Sequence, residues 1–217
     1  MDLIRPYLSP GCSVGDFGCG GGALLDLVKQ VTGGPTFAIE PFAGYHSSLG
    51  ERGHAVFLSA QAASAVPDRP AIDLALSFHV IEHTPEPVAY LREIRELSRP
   101  NGLLVVLTPN LDDILMRFDS KRMSPFFYRR VHNYYFTAKA LAWAGRLAGW
   151  EPVKDIFYHE FGLANTLLWL RDGQPAGHAS YPGVDATADD FWRTFLERTS
   201  QTNNVGMVFT NPPHAAD

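Results

Sequence analysis

The sequence predicts an α/β fold: a doubly wound, mostly parallel sheet of seven strands, with a helical insertion before the last strand. Three observations predict it. Strand-like and helix-like segments alternate through the first half, the rhythm of βαβ units. The run Ile72–Phe78 is apolar almost throughout, as strands buried on both faces are. And Val14-Gly15-Asp16-Phe17 passes straight into a glycine-rich turn, Gly18-Cys19-Gly20-Gly21-Gly22, and then into the apolar helical segment Ala23–Val28. Such a turn lets backbone pass close under a ligand, and the helix behind it presents unpaired N–H groups.

The elements follow in order. Cys12–Phe17 reads as a strand and Gly21–Val31 as a helix, closed by the turn Gly33-Gly34-Pro35. Thr36–Glu40 is a second strand, Gly44–Arg52 a helix and His54–Leu58 a third strand. After Ile72–Phe78, Thr84-Pro85 opens a helix, with Thr84 as N-cap and Pro85 at its first position. Its apolar face is Val88, Leu91, Ile94 and Leu97, and Glu86 early with Arg95 and Arg99 late suits the helix dipole. Pro100-Asn101-Gly102 stops it before the strand Leu103–Leu107. Asp112–Arg130 holds a helix and then an aromatic, basic loop. Thr137–Ala148 is a helix with Thr137 as N-cap and Gly149 as C-cap, followed by the strand Glu151–Tyr158. Leu163–Leu170 and Ala188–Arg198 read as inserted helices around a Gly/Pro-rich loop, Gly173–Val184. Val205–Phe209 is the last strand, and Pro212–Asp217 reads as a frayed tail.

The 217 residues fit one large domain with a full core, residues 1–110 forming a cofactor-binding half and 111–217 an acceptor-binding half with a lid and the insertion. Apolar residues make up 46% and charged residues 19%, a globular balance. No apolar run approaches the roughly 18 residues of a membrane span. Met1–Pro6 shows no signal-peptide core, and Cys12 and Cys19 flank a strand that holds them too far apart for a disulfide. Reduced thiols and a cytoplasmic location are the expectation. The net charge of −5 argues against nucleic acid as the main partner.

Ligands of such sheets sit beyond the carboxyl ends of the strands. Here those ends are Asp16–Gly22, Glu40-Pro41-Phe42, Ser59–Gln61, Phe78–His83 and Thr108-Pro109-Asn110, and every unusual cluster of the first half falls on one of them. Gly18-x-Gly20-x-x-Ala23 satisfies a dinucleotide fingerprint, with Glu40 placed to hold ribose hydroxyls. These residues alone fit either NAD or S-adenosylmethionine, since both carry an adenosine ribose. Asp16 favours the second: it can face a cationic amino group, which a pyrophosphate lacks. Ala23 is also the weakest match to the dinucleotide pattern.

From Val14 onward the chain resembles the class I S-adenosylmethionine-dependent methyltransferases. Val14–Gly22 resembles their first motif, and Phe37-Ala38-Ile39-Glu40-Pro41 their second-strand acidic motif. Phe78-His79-Val80-Ile81-Glu82-His83-Thr84-Pro85-Glu86-Pro87 is similar to the "FHVLEHLPDP" signature of one broad subgroup. Arg99–Asn110 resembles that subgroup's "kPGGLLVIxTPN" segment. His132-Asn133-Tyr134-Tyr135-Phe136-Thr137 with Ala148–Pro152 resembles its "HLYYFTPxSL…AGFE" segment, and Tyr158–His178 a tail common in members from polysaccharide gene neighbourhoods. The resemblance implies a Rossmann-like fold and S-adenosyl-L-methionine as cofactor, with S-adenosyl-L-homocysteine as product. It implies transfer of a methyl group to a small-molecule or sugar acceptor, which can carry phosphate. Asp16, Gly18, Cys19, Gly20, Glu40, Pro41, Phe78 and His79 are the implied cofactor residues. Where the family often has Gly-Asp-Ala, this chain has Leu58-Ser59-Ala60-Gln61, which leaves Gln61, Ser59 or a backbone carbonyl to hold the adenine. Phe17 or Phe78 can place an aromatic face near the sulfonium. A non-catalytic cofactor binder and an NAD-linked oxidoreductase are the competing classes.

His132 is the candidate general base, an imidazole in an aromatic segment beyond the fifth strand. Tyr134, Tyr135 and Arg129 are candidate acceptor contacts. Arg129 belongs to a basic cluster with Arg117, Lys121, Arg122 and Arg130, which reads as a solvated lid, as a dock for acceptor phosphate or, with Met123-Ser124-Pro125-Phe126-Phe127 inside it, as a contact for a membrane surface. Asn165 and Trp169 read equally as packing or acceptor contacts. His79-Val80-Ile81-Glu82-His83 also has the form H-x-x-E-H of a zinc site. That site needs a helix presenting both histidines. Here the pattern straddles a strand end with Pro85 next, so no metal is expected, and His83 reads as packing.

Overall fold

Val14–Phe17 forms strand β1, buried along its whole length. Parallel strands pair with both of its edges, and Val14 and Phe17 enter the cores on its two faces. The computed structural model describes residues 1–213. Beside β1 run β2 (Thr36–Ile39) and β4 (Ile72–Phe78), both parallel to it. Outward lie β3 (Ala55–Phe57) on one side and β5 (Ser98–Pro109) on the other. The last strand, β7 (Asn204–Thr210), inserts antiparallel between β5 and β6 (Glu151–Tyr158), giving the order β3-β2-β1-β4-β5-β7-β6. The strand order reverses between β1 and β4, so their carboxyl ends flank the crevice where such sheets take ligands.

Helices α1 (Ala23–Thr32), α2 (His46–Glu51), α3 (Ala60–Ser64) and α4 (Pro87–Leu97) connect the first five strands, and α7 (Ala138–Leu147) precedes β6. Side-chain alternation divides the core. Ala75, Leu104, Val106, Met207 and Phe209 face a cluster closed by Leu91 and Ile94 of α4 and Leu141 of α7. Leu74, Leu76, Val105 and Val208 face the opposite cluster, closed by Val28 of α1 and Ile4. The predicted insertion is present as α8 (Leu163–Asp172) and α9 (Ala186–Arg198). With α5 (Ile114–Phe118) and α6 (Ser120–Phe127) they build a separate small core of Ile114, Leu115, Trp169 and Leu196.

Several local expectations are corrected. The helix after β4 starts at Pro87, not Pro85: Ile81–His83 first makes a 3-10 turn, and the Thr84 hydroxyl donates to the Ile81 carbonyl (2.8 Å) instead of capping. Arg99 lies beyond the helix end and pairs with Asp73 at 2.8 Å. Helix α3 was not anticipated, because Ala60–Ser64 is too short to show a period. The aromatic, basic stretch after Asp119 is helical as α6 rather than loop, capped by the Asp119 carboxylate. Thr137 caps α7 as expected, and Gly149 takes the left-handed position just past Ala148. The tail reading covers Pro212–Asp217, whose residues from 214 on lie outside those described. Among the described residues, no helix is long and apolar enough to cross a membrane, and both cysteines are free thiols.

Candidate active site

The glycine turn after β1 is built to approach something. Gly18 sits at φ +81°, where a side chain would also collide with Val80. Gly20 is likewise left-handed, at φ +53°, but the place of its missing side chain is open space. Its amide is already engaged: Gly20 N–H donates to Glu40 Oε2 (2.8 Å), and Phe42 N–H donates to Oε1 (2.8 Å). Glu40 is thus a buried carboxylate fixed at the end of β2 and aimed at the turn. Asp16, at the end of β1, is buried as well; burial and then the charge of Glu40 push its carboxyl up to about 7. Burial, with Asp16 and Glu40 adding to it, pushes the Cys19 thiol up to about 12, so it stays protonated. Two buried carboxylates around an open glycine turn call for a cationic, hydroxyl-bearing ligand.

The remaining predicted cofactor residues divide. His79 stands at the end of β4 with φ +56°, an uncommon conformation for a non-glycine residue, held by its N–H to the Leu107 carbonyl (2.8 Å). Pro41 is exposed beside Glu40. Phe78 is half-buried against the α1-side core, and Phe17 lies fully inside the sheet, edge-on to Tyr90. Phe17 therefore offers no open face to a ligand. Gln61 is turned away, its amide donating to Glu93 of α4 on the surface, while Ser59 is consumed as the cap of α3.

Beyond the ends of β4 and β5 a cavity of about 490 Å³ opens beneath the insertion. His79 is the one predicted cofactor residue that also lines it. His132 and Arg129 line it. Tyr134 and Tyr135 do not. The Tyr134 hydroxyl donates to the Pro85 carbonyl (3.0 Å), and Tyr135 braces the wall from behind, donating to the Phe127 carbonyl (2.8 Å) and accepting from Arg129 N–H (2.7 Å). Within the basic cluster, Arg122 is tied to Asp119 and to the Leu170 carbonyl, leaving Arg129 as its contribution to the cavity. Phe126, Phe127, Phe161 and Trp169 supply apolar walls. Phe161 and the buried imidazole of His159 had no local signal in the sequence; they reach the cavity only because β6 and β7 pair. Burial, then Arg193, holds His159 down to about 4, so it is neutral and accepts from Asn203 N–H (3.0 Å).

At the cavity floor, Glu82 is almost wholly buried. Burial alone would raise its carboxyl, but hydrogen bonds from His79, its own backbone and Thr108 hold it below the usual range. The loop after α6 is stapled to it. Asn133 N–H and Tyr134 N–H both donate to the Glu82 carbonyl (2.7 and 3.2 Å), and Asn133 Nδ2 donates to the His83 carbonyl (2.8 Å). This brings His132 onto His83, ring centres 4.8 Å apart. Burial lowers the His132 imidazole below its ordinary value against the opposing pull of Glu82.

Two buried carboxylates at the switch of strand order, with a cavity beyond the neighbouring strand ends, suit an α/β fold that takes ligands at the carboxyl ends of its strands. The family model described as a methyltransferase domain matches residues 2–155, and the chain belongs to that family. It is 34% identical over 117 residues to the ubiquinone biosynthesis O-methyltransferase of Cereibacter sphaeroides, covering 50% of this chain and 46% of that protein. It is 32% identical over 173 residues to the tRNA U34 carboxymethyltransferase of Chromohalobacter salexigens, covering 70% of this chain and 49% of that one. The chain thus spans about half the length of the curated relatives it matches. In fold it is similar to an S-adenosylmethionine-dependent methyltransferase from Archaeoglobus fulgidus, with a TM-score of 0.62, 18% identity, and coverage of 96% of this chain and 91% of that one.

Proposed function

We propose that this chain transfers a methyl group from S-adenosyl-L-methionine to a hydroxyl of a small molecule, a sugar or phenol-like ring held in the 490 Å³ cavity. The observation that carries the reading is the pairing of buried Asp16 and Glu40 around the open Gly20 position. Asp16 holds the amino group of the cofactor's methionine part, and Glu40 holds the ribose hydroxyls. A dinucleotide fits less well, because Gly20 N–H is spent on Glu40 and an added pyrophosphate would face two carboxylates. The cofactor supplies a methyl already activated on a sulfonium and leaves as S-adenosyl-L-homocysteine.

The protein's own work is alignment and proton handling. Aromatic walls from Phe126, Phe127, Phe161 and Trp169 position an acceptor ring beside His79. Holding two reactants in register supplies much of the acceleration of such a displacement. The group of Glu82, His83 and His132 on the cavity wall marks where an acceptor hydroxyl gives up its proton. Arg129 suits an acceptor bearing an anionic group. A cavity of this volume takes a small ring, and the chain's net charge of −5 offers little to a polynucleotide backbone.

Incubation with methyl-labelled cofactor tests this. Panels of phenols, sugars, sugar phosphates and tRNA serve as acceptors. Label in a phenol or sugar fraction is the expected result. Label in RNA overturns the small-acceptor reading, and binding of S-adenosylhomocysteine without transfer to any acceptor class overturns the catalytic one.

A further inference from the structure

The geometry points to a divalent metal site on the cavity wall, formed by buried Glu82, half-buried His132 and exposed His83, taking a borderline cation such as Zn²⁺ or Co²⁺ and presenting it to an acceptor oxygen. One ligand atom from each of these three residues lies within 4.8 Å of the other two, close enough for small side-chain movements to bring all three onto one ion. Two imidazoles and one carboxylate are the donor set of metal centres that keep coordination positions open for substrate. The linear H-x-x-E-H pattern gives no hint of this. His79 and His83 do not form the pair; the second histidine comes from the loop after α6.

The surroundings are those of a prepared site. His83 Nδ1 donates to the Val131 carbonyl at 2.8 Å, which fixes the tautomer and leaves the Nε2 lone pair free. Glu82 is oriented on both oxygens: Thr108 Oγ1 donates to Oε2 at 3.0 Å, and His79 Nδ1 stands 3.4 Å from Oε1. The backbone staples from Asn133 and Tyr134 to Glu82 hold the loop that carries His132. His132 Nδ1 is itself a buried nitrogen with no hydrogen-bond partner. A buried, unpaired polar atom costs free energy unless something meets it. All three residues line the cavity, so an ion held there faces the acceptor.

This deepens the proposed methyl transfer and rests on it for the identity of the reaction. An acceptor hydroxyl that coordinates the ion loses its proton to solvent more readily. The oxygen's electron pair then forms the bond to the methyl carbon, the carbon–sulfur bond breaks with its pair left on sulfur, and the ion keeps its charge. His132 serves here as a ligand and not as a free base.

The test uses the full-length chain, stripped with chelator and titrated with CoCl₂, read by the visible absorption of bound Co²⁺ and by calorimetry. The same samples are titrated with S-adenosylhomocysteine. One equivalent of Co²⁺ bound, displaced by ZnCl₂, is expected. His83→Ala and His132→Ala should each weaken binding by more than the roughly 10–100-fold that losing an outer hydrogen bond costs, while retaining S-adenosylhomocysteine affinity, which shows that they fold. Absence of saturable Co²⁺ binding, or binding unchanged in both variants, overturns the site. Metal binding without S-adenosylhomocysteine binding leaves the metal site standing and overturns the methyltransferase reading instead.

Discussion

Asp16→Asn separates the cofactor reading from simple packing. In the free protein the Asp16 carboxyl sits at about 7, raised from 3.8 by burial and by Glu40. A ligand that brings an ammonium group to it binds the ionised form. Above about pH 7 most of the protein carries that form and below it most does not, so affinity falls roughly tenfold between about pH 8 and about pH 6. The same shift acts on stability with a definite sign. The folded state holds this proton more tightly than the unfolded chain, so the cost of the buried charge is fully present above about pH 7 and fades as pH falls toward 3.8. A shift of roughly three units sets its ceiling at about 4 kcal/mol. Asp16→Asn should therefore bind S-adenosylhomocysteine more weakly, with a flattened pH profile, yet resist urea better than the wild type at about pH 8 without ligand. Calorimetric titrations across pH and urea unfolding give both numbers. Equal wild-type affinity at the two pH values, or an Asn variant that keeps the wild-type affinity and slope, refutes the assignment.

Three further outcomes are expected. Glu40→Gln should weaken S-adenosylhomocysteine by roughly 1–3 kcal/mol in calorimetry, since a charge-assisted acceptor for ribose hydroxyls becomes a neutral one. Gly20→Ala should cost only about 1–2 kcal/mol of stability for its left-handed backbone, because nothing crowds the position, yet abolish measurable cofactor binding; Gly18→Ala, which meets Val80, should destabilise more in the same urea assay. Thr108→Val removes a hydrogen bond to buried Glu82 and should cost roughly 1–3 kcal/mol near neutral pH. Glu82 is held below its ordinary 4.5, so its stabilisation is complete above that value and lost as pH falls through the lowered one. The variant should show a smaller loss on acidification, read from unfolding midpoints.

The first half of the chain was legible because its signals are local. Ile72–Phe78 declares itself by unbroken apolarity, and Asp16, Gly18, Gly20 and Glu40 by their places at strand ends, where the structure brings them together. Gln61 is ambiguous in sequence because a polar residue after a strand looks the same whether it meets a ligand or, as here, Glu93 on the next helix. The cavity was only half legible. His132 and Arg129 stand out by residue type, but Tyr134 and Tyr135 fit lining and packing equally in sequence, and it is the fold that ties their hydroxyls to backbone carbonyls. The grouping of Glu82, His83 and His132 was invisible, since it depends on the staple between Asn133 and Glu82, a long-range contact with no period or motif behind it.

The pairing of β6 with β7 reaches outward beyond the sheet. Tyr158 and Asn204 stand opposite one another at the point where the chain leaves for the two-helix cap and returns from it. Entry and exit are neighbours, so whatever is spliced between them closes a loop whose entropy grows only slowly with length. The roof over the acceptor can lengthen, shrink or be exchanged while the adenosyl-facing half stays untouched. Chimeras joined at those two residues would be the natural way to carry one acceptor preference onto another member's scaffold.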